Sequence, residues 1–188
     1  NNQGSVQALD ALTLAATGRL DNTGALLSQN LFTLTAAQLF NDGRLAGKAL
    51  TVNAAQLTNT GMLQGATLDM TGTSLTSSGT VNGLAGLSGT LGGALTNTGL
   101  LQSGGATTFT ADTLANPGRI TGGTLSLTAR EMNNDGLMQG TNGLALTGTA
   151  LTTGAASRTL SGGMLTLDAG HLTTQGTLQG NGADISAR

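Results

Sequence analysis

Ten times along this chain a polar residue, then any residue, then glycine recur in phase, and that recurrence constrains the fold before any helix or strand is assigned. The marks are Asn2-Gln3-Gly4, Asn22-Thr23-Gly24, Asn41-Asp42-Gly43, Asn59-Thr60-Gly61, Ser77-Ser78-Gly79, Asn97-Thr98-Gly99, Asn116-Pro117-Gly118, Asn134-Asp135-Gly136, Thr152-Thr153-Gly154 and Thr174-Gln175-Gly176. The spacings between successive glycines are 20, 19, 18, 18, 20, 19, 18, 18 and 22. A regular period of about 19 residues is the mark of a solenoid, in which each turn packs on its neighbours.

Aligning the turns on glycine sorts the apolar residues into columns. Two residues after the glycine stand Val6, Leu26, Leu45, Leu63, Val81, Leu101, Ile120, Met138 and Leu178, and Leu160 is expected to take that place in the turn marked by Gly154. An apolar-x-apolar pair follows: Leu12/Leu14, Phe32/Leu34, Leu50/Val52, Leu68/Met70, Leu125/Leu127, Leu144/Leu146 and Leu165/Leu167. A third column, two residues before the next mark, holds Leu20, Leu39, Leu57, Leu75, Leu95, Leu114, Met132 and Leu172. Between the second and third columns stands a small residue, as at Ala36, Ala54, Gly72, Ala111, Ala129, Gly148 and Ala169.

Alternation with period two means strands with one buried face. The pattern predicts an all-β parallel β-helix over residues 1–188, with three short strands per rung, nine to ten rungs and a length of roughly 45 Å at about 4.8 Å per rung. A helical solenoid needs apolar residues at i, i+3 and i+4 and has little use for this much Thr and Gly. A leucine-rich horseshoe shares the Leu-x-Leu spacing but requires a longer signature that is missing. Gly, Pro, Ser and Gln together make 53 of the 188 residues, a share that in an aperiodic chain would indicate disorder. The period overturns that reading: most of the 33 Leu fall into inward columns and most of the 33 Thr into outward positions.

Each corner has an expected chemistry. Gly24, Gly43, Gly61, Gly79, Gly99, Gly118 and Gly136 are turn glycines, expected to supply a positive φ. Asn22, Asn41, Asn59, Asn97, Asn116 and Asn134 stand two residues before such glycines and are expected to stack as an amide ladder, as in cross-β assemblies. Ordering one rung costs more backbone entropy than its few apolar side chains return, so the fold must be an array.

Read together, Leu-x-Asn-x-Gly-x-Leu followed by Leu-x-Leu-x-Ala-x-x-Leu-x-Asn resembles the filamentous haemagglutinin repeat. The likeness covers essentially the whole chain and is clearest in Leu57-Thr58-Asn59-Thr60-Gly61-Met62-Leu63 and Leu95-Thr96-Asn97-Thr98-Gly99-Leu100-Leu101. It implies that the β-helix is right-handed and forms the shaft of a large secreted adhesin or contact-dependent growth inhibition protein on the surface of a Gram-negative bacterium. It also implies export through an outer-membrane two-partner-secretion transporter. Asn1 begins inside a repeat, so the chain is expected to be a segment of a longer protein, with secretion and toxin modules outside it.

The remaining chemistry is sparse. There is no Cys, which excludes disulfides and thiolate metal sites, and the net charge of −2 offers no footprint for nucleic acid or anionic lipid. No apolar run is long enough to insert in a membrane. The acids Asp10, Asp21, Asp42, Asp69, Asp112, Glu131, Asp135, Asp168 and Asp184 show no adjacent pair in one column, as a glycan-active β-helix enzyme would require. His171 falls at an outward position without a second ligand, and the Gly-Gly pairs at 92, 104, 122 and 162 lack a phosphate-loop lysine. No Trp or Tyr offers a sugar-stacking face, and Arg44 and Arg119 are too far apart to form a polyanion patch. The expectation is therefore a non-catalytic shaft without cofactor or metal, whose two ends favour end-to-end association. A competing reading is a receptor-binding module built on the irregular rungs, residues 77–96 with six glycines and residues 154–163 with an insertion.

Overall fold

The computed structural model describes all 188 residues. Seventeen strands join in one continuous sheet, and every strand pairs in parallel with its counterpart one turn away. The result is a parallel β-solenoid with about 19 residues in each turn and roughly 10 turns. Some turns break into pieces, as in Ala25–Ser28 and Leu31–Asn41; others, such as Arg44–Asn59 and Arg119–Asn134, keep one strand through the corners.

The columns stack in register. Leu26 pairs with Leu45, Leu45 with Leu63, Leu63 with Val81, Val81 with Leu101, Leu101 with Ile120 and Ile120 with Met138. Above Met138 stands Thr159, and above Thr159 stands Leu178. Thr159, fully buried, therefore fills the first column in place of the expected Leu160, which pairs with the outward Gln139. The reason lies in the corner before it. Thr153, not Thr152, stands above Asn134, and the four residues 154–157 span what Asp135 and Gly136 span one rung earlier. Ser157, not Gly154, takes the place of the corner glycine: the Arg158 amide donates to Gly136 O and the Thr177 amide to Ser157 O.

The inward columns merge into one core of 34 buried residues running along the axis. Phe32, Leu34, Leu39, Leu45 and Leu63 are wholly buried, as are Phe109, Ile120 and Met138 further along. Apolar burial on this scale, with parallel ladders on every side, is what holds a rod that has no disulfide. At the ends the columns emerge, with Val6 44% and Ile185 47% exposed.

Differences in rung length are confined to corners. After the first column one residue makes the bend at Lys48, Ala66 and Gly123, and two make it at Gln29-Asn30, Leu84-Ala85, Gly104-Gly105, Thr141-Asn142 and Gly162-Gly163. After the small column one residue usually suffices, as at Ala37 and Ala55, but Thr17-Gly18 and Gly92-Gly93 use two. From Gly4 to Gly136, a glycine spacing of 18 goes with neither extra residue, a spacing of 19 with one and a spacing of 20 with both. The order begins again after four rungs, so the rungs opening at Gly4, Gly24 and Gly43 correspond to those at Gly79, Gly99 and Gly118; the rung after Gly136 departs from the one after Gly61 by its two-residue bend at Thr141-Asn142. A higher repeat of four rungs, from Gly4 to Gly79, is thus superimposed on the rung itself.

Candidate functional site

The densest arrangement of polar side chains is the first corner. Asn2, Asn22, Asn41 and Asn59 lie one above another, and Nδ2 of each donates to Oδ1 of the next, at 2.7 Å, 2.7 Å and 2.8 Å. A second run joins Asn97 to Asn116 and Asn116 to Asn134, both at 2.8 Å. The same Nδ2 reaches its own corner, as Asn41 does to Gly43 O at 3.2 Å, and the following rung, as it does to Met62 O at 3.2 Å. Side chains of Asn22, Asn41, Asn59, Asn97, Asn116 and Asn134 are almost wholly buried; each amide binds its rung to the next, and those of Asn22, Asn41, Asn59 and Asn97 also close their own corner.

The glycines of this corner have a different role from the one expected. No residue in the protein, glycine included, has a positive φ. What demands glycine is proximity: a Cβ on Gly24, Gly43, Gly61, Gly79, Gly99, Gly118 or Gly136 would lie closer than 3.0 Å to the carbonyl oxygen of the corner glycine one rung below. That oxygen accepts the amide of the residue after the glycine, as Gly43 O accepts from Met62 at 2.8 Å, and the bond pulls the two backbones into contact. Asn and Gly thus form a single device of amide file and bare backbone file.

Outside this corner, charge is thin and spread over the surface. Arg19 stacks on the Phe40 ring, 3.9 Å from its centroid, and pairs with Asp21 at 2.6 Å. Those residues, with Asp42, Thr58 and Thr60, line a shallow groove of about 420 Å³. The sequence reading missed this group, although its signal was present: Arg19 and Asp21 are alternate outward residues and Asp21 stacks on Phe40. The Arg19 hydrogen bond holds the Asp21 carboxyl below the usual aspartate range. Arg130 bonds Asp112 at 2.9 Å, with the same effect on Asp112, and also pairs with Glu131.

The other acids are not brought together. Asp69 accepts from Ser88 at 2.6 Å, Asp10 accepts from Asn30 at 2.9 Å, and Asp42 accepts from Thr60. No three His, Cys, Asp or Glu side chains gather as a metal site would require. His171 is exposed, its nearest polar neighbour being Thr173 at 3.4 Å. The other grooves are open, and the one between Thr113 and Thr152 has Glu131 as its single charged residue. Nothing in this set places a nucleophile, a base and an oriented carboxylate within reach of one substrate atom.

The two irregular regions differ in kind. In residues 77–96 the glycines serve packing and bending: inward Gly89 leaves room for the Phe109 ring, and Leu84, 57% exposed, rides on a two-residue corner. At residues 154–157 the chain leaves the barrel wall, exposes Ala155 and Ala156, and returns at buried Ser157, whose hydroxyl donates to Gly154 O at 2.7 Å.

Three stretches, residues 1–82, 46–118 and 120–188, match the haemagglutinin repeat family, which leaves almost no residue outside the match. The chain belongs to that family. Among known proteins it is 39% identical over 187 residues to the deoxyribonuclease CdiA of Dickeya dadantii, a match covering 93% of this chain and 6% of that protein. It is 40% identical over 91 residues to the toxin CdiA of Escherichia coli, covering 48% of this chain and 3% of that one. With the tRNA nuclease CdiA of Yersinia mollaretii it shares 30% identity over 185 residues, 97% of this chain and 6% of the relative. The haemagglutinin repeats here thus span only a small fraction of the length of these contact-dependent inhibition proteins. No solved structure matches the chain.

Proposed function

We propose that this chain is a length of shaft in a large secreted or surface-exposed filament, a contact-dependent inhibition toxin or filamentous adhesin, and that it holds a distal binding or toxin element away from the cell. The observation that supports this reading is the single core: 34 buried residues lie in columns along one axis, while the surface carries no convergent group of reactive side chains. Nuclease activity belongs to the names of the relatives, and in this reading it resides in other parts of such proteins. Export uses an outer-membrane two-partner-secretion transporter in a Gram-negative envelope. A solenoid suits that route, because each rung needs only the preceding rung as template while the chain emerges.

In the parent protein, in-frame removal of residues 25–99, four rungs, shortens the filament by about 19 Å. The expected outcome is unchanged export and unchanged activity of the distal element on target cells, read by secretion and competition assays. Loss of target-cell binding with export intact would refute the shaft reading. It would support the second one, a receptor-docking surface on the irregular rungs, for which exposed Leu84 and the Ala155-Ala156 loop are the favouring features. Leu84→Ser, within the removed rungs, then localises the loss, and deletion of Ala155 and Ala156 tests the second irregular rung by the same binding assay.

A further inference from the structure

Ser77 and Asn97 occupy one place in consecutive rungs, and between them the side-chain file stops. Asn59 donates to Ser77 Oγ at 3.3 Å, longer than the 2.7 to 2.8 Å bonds between amides. Asn97 donates onward to Asn116, yet its Oδ1 accepts from no protein group, the one such atom among the buried polar side chains. Serine is shorter than asparagine and its hydroxyl does not span the distance that an amide spans.

The rung bounded by these residues also fits less evenly on the one below. Its corners at Leu84-Ala85 and Gly92-Gly93 each hold one residue more than those at Ala66 and Thr73, and Gly89 brings no side chain of its own to the core, its space being filled by Phe109 from the rung above. A similar coincidence recurs one four-rung unit later. Thr153 stands in the amide file, Asn134 turns instead to Thr159 Oγ1 at 3.1 Å, and the chain carries its inserted residues directly afterwards.

We infer that the rod is segmented: the runs Asn2 to Asn59 and Asn97 to Asn134, each bound by an unbroken amide file, behave as cooperative blocks, and the rung between Ser77 and Asn97 is the joint that opens first. Because rungs interact only with neighbours, a defect at one interface lowers the local opening free energy without weakening the blocks on either side. A rod built this way yields at set positions, four rungs apart, instead of fraying anywhere along its length. The inference concerns the rod itself and holds whether or not the rod serves as a shaft.

Hydrogen exchange on the 188-residue chain tests it. Amides in residues 80–96 are expected to exchange at least tenfold faster than those in 44–59 and 119–134, tenfold corresponding to about 1.4 kcal/mol. Ser77→Asn, which restores the missing amide, is expected to slow residues 80–96 by about tenfold and to leave 119–134 unchanged. Uniform protection from 44 to 134 would overturn the inference, and so would a folded Ser77→Asn protein with unaltered exchange at 80–96. The wild-type profile decides the matter even if that variant does not fold.

Discussion

The ring of Phe109 occupies the space that a side chain on Gly89, one rung below, would fill: a Cβ there would lie closer than 3.0 Å to two ring carbons. Large and small residues are matched across the rung interface, as close packing of an axial core requires. Gly89→Ala is expected to destabilise the protein by about 1–3 kcal/mol through overpacking. Phe109→Ala should cost about 3–5 kcal/mol through the cavity it leaves. Because the two residues share one space, Gly89→Ala combined with Phe109→Leu should cost less than the sum of the single changes, which a double-mutant cycle in urea will measure.

Crowded glycines and glycines with open space beside them part company under substitution. Gly61→Ala drives a Cβ into backbone oxygens of Gly43 and Asp42, atoms that cannot move without breaking the ladder. Its cost should reach or exceed about 3 kcal/mol. Gly86→Ala and Gly92→Ala meet no atom within 4 Å, and φ is nowhere positive, so these changes should be neutral or stabilise by about 0.4–1 kcal/mol. Thermal denaturation of the three variants separates proximity from conformation as the reason for glycine. Equal destabilisation by all three would show that backbone freedom was the requirement.

Asn41 accepts from Asn22 and donates to Asn59, Gly43 O and Met62 O, so Asn41→Ala loses four hydrogen bonds and strands the buried Asn59 Oδ1. The expected cost is about 1–3 kcal/mol. Asn41→Asp keeps the shape but replaces the donor with an acceptor facing that same oxygen. At neutral pH it should be the more damaging change, and acidification should recover part of the loss as the buried carboxyl takes up a proton. A midpoint for Asn41→Asp that does not respond to pH would contradict the burial of this amide.

Acid titration reads the two surface ion pairs. Arg19 and Arg130 hold Asp21 and Asp112 below the ordinary aspartate value of 3.8, chiefly by direct hydrogen bonds. A depressed carboxyl contributes stability that is present above its unfolded pKa and is lost as pH falls through the folded one. Stability from these pairs should therefore be constant from neutrality down to about pH 5 and decline below about pH 4. Arg19, Asp112 and Arg130 are exposed and Asp21 is half-buried at the surface, so the effect should be small and should shrink in salt. Arg130→Met is expected to lower stability slightly at pH 7 in low salt and so to flatten part of the acid limb, with variant and wild type converging at low pH.

The columns were legible in the sequence because period and alternation are properties of residue order: Leu26, Leu45 and Leu63 announce a shared face without coordinates. Proximity was not legible. Gly24 and Gly43 look like residues chosen for an unusual φ, since a close approach of backbones one rung apart leaves no trace in composition. The displaced register at Thr159 was hidden because a hydroxyl stood where an apolar residue was sought, with Leu160 offered beside it. Leu87/Gly89 and Thr107/Phe109 escaped the second column for a related reason. Each pair has one member that is inward by position and not by chemistry, made acceptable by its neighbour in the next rung.

The loop at residues 154–157 has its own physical reason. Ser157 stands where other rungs place glycine, and a Cβ at that place normally collides with the carbonyl oxygen below. Ala155 and Ala156 carry the chain outward before it returns, so the Ser157 hydroxyl turns back on Gly154 O at 2.7 Å and is buried. Removing the two alanines shortens the corner to regular length and forces Ser157 into the tight contact that glycine alone tolerates. Deletion by itself is therefore expected to destabilise by about 1–3 kcal/mol. Deletion combined with Ser157→Gly should recover most of that loss, since it recreates the corner found at Asp135-Gly136. Calorimetry on the two variants checks this, and equal melting temperatures would mean that the insertion is not what accommodates the serine.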